Sequence, residues 1–280
     1  MDYINSVISK WMPEDSKRVA VDSHPRLSGV MDTINSTLAH GPKTRLPSQF
    51  YDSKARGIID QIGVEEWFSG YNESEEYRRV GIGALVGDIV SRMIGNIEKN
   101  GNDGTLEIGG QNGHLGGGRG GKNLIKFAMS GCHDTTLAAM LCSLGAFEGE
   151  KWPPYTSHVA IELFSDSDND REVFLEEERA AAQKPTTRSG LFAITKKDIL
   201  ASESIARKPI NELTPVEKGK LKGKYVRVIY NDRAMVIPGC RLPGNHLRGN
   251  ESFCTLVSIS SYDFTFLCAE SRPGSLQGDC

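Results

Sequence analysis

Apolar residues recur at helical spacing through the first hundred positions. After residue 157 they alternate, and this change of period divides the chain. Ile4, Val7, Ile8, Trp11 and Met12 share a helical face, and Pro13 stops the run. Pro25 opens a second helix with Leu27, Val30, Met31, Ile34 and Leu38 on one side. A third is predicted from Phe50, Tyr51, Ala55, Ile58, Ile59 and Ile62, ended by Gly63. Ile82, Leu85, Val86, Ile89, Met93 and Ile97 predict a fourth, with Gly81, Gly83 and Gly87 marking close helix packing. These stripes are the candidate core.

Farther on, Ile125 to Met129 reads as a buried strand, Ser130-Gly-Cys as a turn, and Thr135 to Leu144 as an amphipathic helix. Ser157 to Phe164 alternates as a strand. Residues 165–190 are polar, with an acidic and Ala-rich middle, and read as an excursion. Tyr225 to Ile237 predicts a hairpin turning at Asn231-Asp232. From Val257 the text changes character and ends rich in Ser, Pro, Gly and Gln. A retained intron or shifted reading frame after Leu256 leaves such a pattern; a divergent tail is the alternative.

Composition narrows the field. A net charge of −3 gives no electrostatic case for nucleic acid or an anionic membrane. No run approaches the roughly 18 apolar residues a membrane span needs. The start, Met1-Asp-Tyr-Ile-Asn, lacks a signal-peptide pattern, so the chain as written reads as cytoplasmic. Sequons at Asn35, Asn72 and Asn250 keep secretion open. Of the six cysteines, Cys132 and Cys142 read as buried thiols. No Cys/His spacing suggests zinc. Residues 101–121 hold ten glycines and read as a surface loop. Gly116…Gly121-Lys122 approaches a nucleotide-binding loop, yet Asn123 replaces the needed hydroxyl and the segment precedes a strand.

The candidate chemistry is His133-Asp134. Placed above a helix start, the pair would meet free backbone N–H groups and a positive helix end, which suit a phosphate. A nearby carboxyl group can protonate a leaving oxygen.

Ser130-Gly-Cys-His-Asp-Thr-Thr-Leu137, Trp152-Pro-Pro-Tyr-Thr-Ser-His158 and Pro238-Gly-Cys with Glu251-Ser-Phe-Cys254 resemble the histidine acid phosphatases, branch two of the histidine phosphatase superfamily. The chain is most similar to fungal acid phosphatases and the lysophosphatidic acid phosphatase type, over roughly residues 1–256. The resemblance implies a phosphoglycerate mutase-like α/β fold: a doubly wound sheet with a helical cap. It divides the chain into a cap-like region (1–100), a Gly-rich loop (101–122), the C-terminal part of the core (123–256) and an atypical tail (257–280). It implies hydrolysis of a phosphate monoester through phosphohistidine. His133 would be a phosphate ligand and Asp134 the general acid, with no metal or organic cofactor. In secreted relatives a pair placed like Cys240 and Cys254 is bridged; in a reducing compartment it stays open.

The chain also departs from that family. The nucleophile belongs to an Arg-His-Gly-x-Arg-x-Pro motif, and no Arg-His-Gly occurs here; His24-Pro25-Arg26 is the nearest imitation. The resemblance therefore implies a chain that begins mid-domain, with the N-terminal part of the sheet missing and weak or no activity. The strand at 125–129 would then present an open edge inviting self-association. The alternative is a non-catalytic form that binds inorganic phosphate, a phosphate-bearing ligand or a protein.

Overall fold

A computed structural model describes residues 1–98, 126–166, 205, 208 and 212–260. The expectations for residues 101–125, for the Ala-rich stretch and for the end of the tail lie outside them. The fold is α/β, helices packed with an antiparallel sheet.

Helix α1 (Asp2–Ile8) is followed by α2 (Leu27–His40), whose predicted face holds Leu27, Val30, Met31 and Ile34, all buried. Helix α3 (Ser53–Glu73) starts at Asp52, whose side chain accepts the Ala55 N–H at 2.8 Å. It does not stop at Gly63. That glycine is there for space: a Cβ would lie 3.1 Å from Met31 Sδ and 3.7 Å from Trp152. A short helix that the periodicity missed, α4 (Glu75–Gly81), is capped by Ser74, which accepts from Tyr77 N. Arg78 of α4 is fully buried and donates to the carbonyls of Tyr71 and Asn72 at the end of α3. Helix α5 (Gly83–Glu98) follows. Gly81 is the close approach expected, since a Cβ would sit 2.8 Å from the Tyr71 hydroxyl; Gly87 faces open space.

Helix α6 (Asp134–Ser143) forms where predicted. The segment leading into it does not. Residues 126–133 form no strand and are exposed, with Phe127 81% and Met129 85% accessible. No described strand lies beside them, and an unpaired apolar run has no ladder to join. Cys132 is accordingly exposed, against expectation, while Cys142 is buried and burial pushes its thiol up to about 12.

The sheet comprises β1 (Val159–Ser165), β2 (Lys224–Tyr230), β3 (Arg233–Ala234), β4 (His246–Leu247) and β5 (Asn250–Thr255), in the order β1-β2-β5-β4 with β3 beside β2. Asn231 and Asp232 both have positive φ, 44° and 65°, and make the predicted two-residue turn between β2 and β3. In β2, Lys224, Val226, Val228 and Tyr230 are buried on one face. Strands β1 and β2 pair along their full length although 58 residues separate Ser165 and Lys224 at their joined end, and there Asp166 N donates to Gly223 O at 2.8 Å. Among the described residues β1 is an edge of the sheet, so the open edge expected at 125–129 lies elsewhere. Cys240 and Cys254 are disulfide-bonded. Helix α7 (Pro215–Leu221) carries a complete capping box of Thr214 and Glu217, and α8 (Leu256–Ser260) packs against β2 and β5. With Leu256 fully buried and Ile259 nearly so, ordered structure crosses the boundary drawn at residue 257.

Two apolar clusters result. One joins α1, α2 and α3 through Ile4, Ile8, Leu27, Ile34 and Ile59. The other joins α3, α5 and α6 to the sheet through Phe68, Ile94, Leu141, Val226 and Leu256. Trp152 packs against both. No single described helix is long and apolar enough to cross a membrane.

Candidate active site

His133 and Asp134 sit at the solvent-facing start of α6. His133 is the N-cap, with extended backbone at φ −85° and ψ 161°, and Asp134 is the first helical residue. Both are exposed. Their anchor is the other end of the helix: Ala138 to Ser143 are all buried, packed against α3 and α4.

The helix start is less open than the sequence suggested. Thr135 N donates to Asp134 Oδ1 at 2.7 Å, and Thr136 N donates to the His133 carbonyl at 3.0 Å. Those groups are engaged within the turn. The exposed imidazole of His133 stands beside the positive end of the helix dipole.

Asp134 has a second partner that the pattern did not reveal. Trp152 Nε1 donates to Asp134 Oδ2 at 2.8 Å. Trp152 in turn is fixed by α3. Asp60, Gly63, Val64, Trp67 and Phe68 recur at helical spacing and form one face of that helix. Trp152 N donates to Asp60 Oδ1 at 3.0 Å. Its ring lies 5.0 Å from Phe68 and meets Trp67 edge-on at 6.0 Å. Burial pushes the Asp60 carboxyl up, opposed by the Trp152 N–H and by the charges of Lys151 and Arg56. The segment 152–158 was singled out in the sequence, yet the indole–carboxylate bond spans 18 residues and leaves no local signal.

A shallow cleft of about 420 Å³ opens beside Trp152, lined also by Glu150, Lys151, Pro154, Tyr230, Asn231 and Arg233. Arg233 pairs with Glu150 there, and Asn231 is committed to His158 N and the Ser157 hydroxyl. His24, the nearest imitation of a nucleophile motif, lies before α2, and among the described residues no hydrogen bond or ion pair ties it to His133 or Asp134. No described cluster of His, Cys, Asp and Glu could hold a metal ion.

Residues 46–176 match the model of the histidine phosphatase superfamily, branch 2. A protein of Schizosaccharomyces pombe named "Probable acid phosphatase" is 31% identical over 259 residues, 90% of this chain and 47% of that protein. Over this stretch the chain is similar to branch 2 of the histidine phosphatase superfamily. It spans about half the length of that relative. The superfamily match begins before α3, which carries Asp60 and Trp67, and ends beyond β1, so it takes in His133, Asp134 and Trp152 together. No solved structure matches the chain significantly.

Proposed function

We propose that this histidine phosphatase-type site acts on phosphate monoesters, with His133 contacting the phosphoryl oxygens and Asp134 acting as general acid. The observation that carries the reading is the exposed His133-Asp134 pair at the start of a helix whose other end is locked in the core. The helix dipole attracts the phosphoryl group, and the imidazole donates to its oxygens. As a water oxygen bonds to phosphorus and the ester P–O bond breaks, the Asp134 carboxyl gives its proton to the ester oxygen, so that an alcohol and inorganic phosphate leave. Positioned proton transfer of this kind contributes roughly 10²–10⁴ in rate. The acid phosphatase relative supports the same reaction class.

A second reading is binding without turnover. It is favoured by one observation: the 280 residues contain no Arg-His-Gly, the tripeptide that carries the attacking imidazole in the resembled enzymes. Covalent catalysis needs that group.

Hydrolysis of p-nitrophenyl phosphate by the purified chain at acidic pH, beside His133→Ala and Asp134→Ala, separates the two. Turnover lost in both variants supports the enzyme. No turnover, together with saturable inorganic phosphate binding that His133→Ala removes, supports the binding form. Turnover indifferent to both substitutions refutes the assignment of the site.

A further inference from the structure

We infer that Trp152 is a positioning residue for Asp134, holding the carboxyl group in its proton-donating orientation through the indole N–H. The inference rests on the reading of Asp134 as the acid.

An exposed aspartate at a helix start ordinarily turns freely, because its terminal torsion is broad. Asp134 is denied that freedom. Thr135 N holds Oδ1 at 2.7 Å and Trp152 Nε1 holds Oδ2 at 2.8 Å, so rotation about either torsion breaks one of the bonds. The indole is held as firmly. Its backbone N–H is tied to Asp60, its ring packs against Trp67 and Phe68, and Gly63 gives it room at 3.7 Å. A ring serving only to fill the gap between the two apolar clusters would need no N–H. Here the one polar atom of the ring is spent on the carboxylate 18 residues away.

The choice of indole also has a chemical consequence. Its nitrogen is a donor only and neither accepts nor releases a proton near neutral pH. A proton carried by Asp134 therefore cannot be lost to this partner and leaves only from the open side of the carboxyl, toward bound ester or water. A lysine or histidine in the same place would compete for it.

The test uses the full chain with 15N-labelled tryptophan, whose three indoles give separable Nε1–H signals. Asp134→Ala is expected to move the Trp152 signal, and to speed its exchange with solvent about tenfold, while Trp11 is unaffected. Turnover of p-nitrophenyl phosphate and of an alkyl phosphate is then compared in Trp152→Phe and in a variant with benzothienylalanine at position 152. The latter keeps the ring shape and lacks the N–H. Both are expected to lower kcat about tenfold for the alkyl ester, less for the aryl ester, with KM unchanged. Adding Trp152→Phe to Asp134→Ala should cost nothing more. A Trp152 signal indifferent to Asp134→Ala overturns the inference whatever the turnover. So does a benzothienylalanine variant that turns over both esters like the unmodified chain. Equal losses for both esters would make Trp152 a packing residue and leave Asp134 as the acid intact. Absence of turnover in the unmodified chain refutes the phosphatase reading itself, and the acid-positioning role falls with it.

Discussion

Helix α6 has two ends in opposite surroundings. From Ala138 to Ser143 every residue is buried, while residues 126–134, just before it and at its first turn, are all exposed. The buried end fixes the direction of the helix axis at the cost of accepting almost no change. The exposed end carries the polar pair to which we assign the chemistry and contributes little to stability. Stability and the proposed function are thus separated along a single ten-residue element.

The comparison breaks most visibly at the buried end. Leu141→Ala empties a site with no solvent access and should cost about 2–5 kcal/mol, read as a loss in the denaturation midpoint at constant m-value. His133→Ala, eight residues earlier on the same element, should leave that midpoint nearly unchanged.

The sheet, which shares an apolar cluster with the buried end, is braced by the disulfide. Replacing Cys240 and Cys254 together by alanine removes a closure 14 residues apart and should cost about 3 kcal/mol in chemical denaturation. A reductant should reproduce the loss in the unmodified chain and do nothing further to the variant.

A smaller effect sharpens the comparison on the acid side. Glu217 closes the cap of α7, and the Lys208 ammonium, followed by the Thr214 N–H and hydroxyl, pulls its carboxyl from an ordinary 4.5 to about 2. Its folded value lies below its unfolded one. The stabilisation is therefore complete above about pH 4.5 and disappears as pH falls toward 2. Melting curves of Glu217→Gln and the unmodified chain should differ above pH 4.5 and converge below it. An offset that persists to pH 2 would show that the carboxylate's charge is not involved.

The smallest effect is expected at the exposed end. Phe127→Ser and Met129→Ser remove apolar side chains that touch mostly solvent and should stay within about 0.5 kcal/mol of the unmodified chain. A loss of several kcal/mol in either would mean that this segment is covered in solution.

What was legible in the sequence follows the range of the forces involved. Helices α2 and α6, strand β1 and the Asn231-Asp232 hairpin are set by local periodicity and turn chemistry, and they stand where the residues put them. Gly63 misled because glycine is a common helix stop, whereas here its missing side chain makes room for Met31 and Trp152, residues distant in sequence. Helix α4 was overlooked although Ser74-Glu75-Glu76 is a readable start signal. The Ile125–Met129 run shows the limit of hydrophobicity as evidence for a strand, since a strand needs a neighbour and the run itself cannot supply one. At the site, His133 and Asp134 were legible as a motif. The hold of Trp152 on Asp134 was not, because it depends on how α3 and the segment after α6 meet.

The full-length pairing of β1 with β2 has an evolutionary consequence. The chain leaves the sheet at Asp166 and re-enters at Gly223, and the two points are joined by a hydrogen bond of 2.8 Å. Everything between them is a detour that begins and ends at one place. Part of that detour belongs to the fold, since Ile205, Leu213 and Leu221 are buried in the larger apolar cluster. Descendants of this architecture can therefore change length there, away from those core residues, much as a sentence admits a parenthesis, without rewriting the strands on either side.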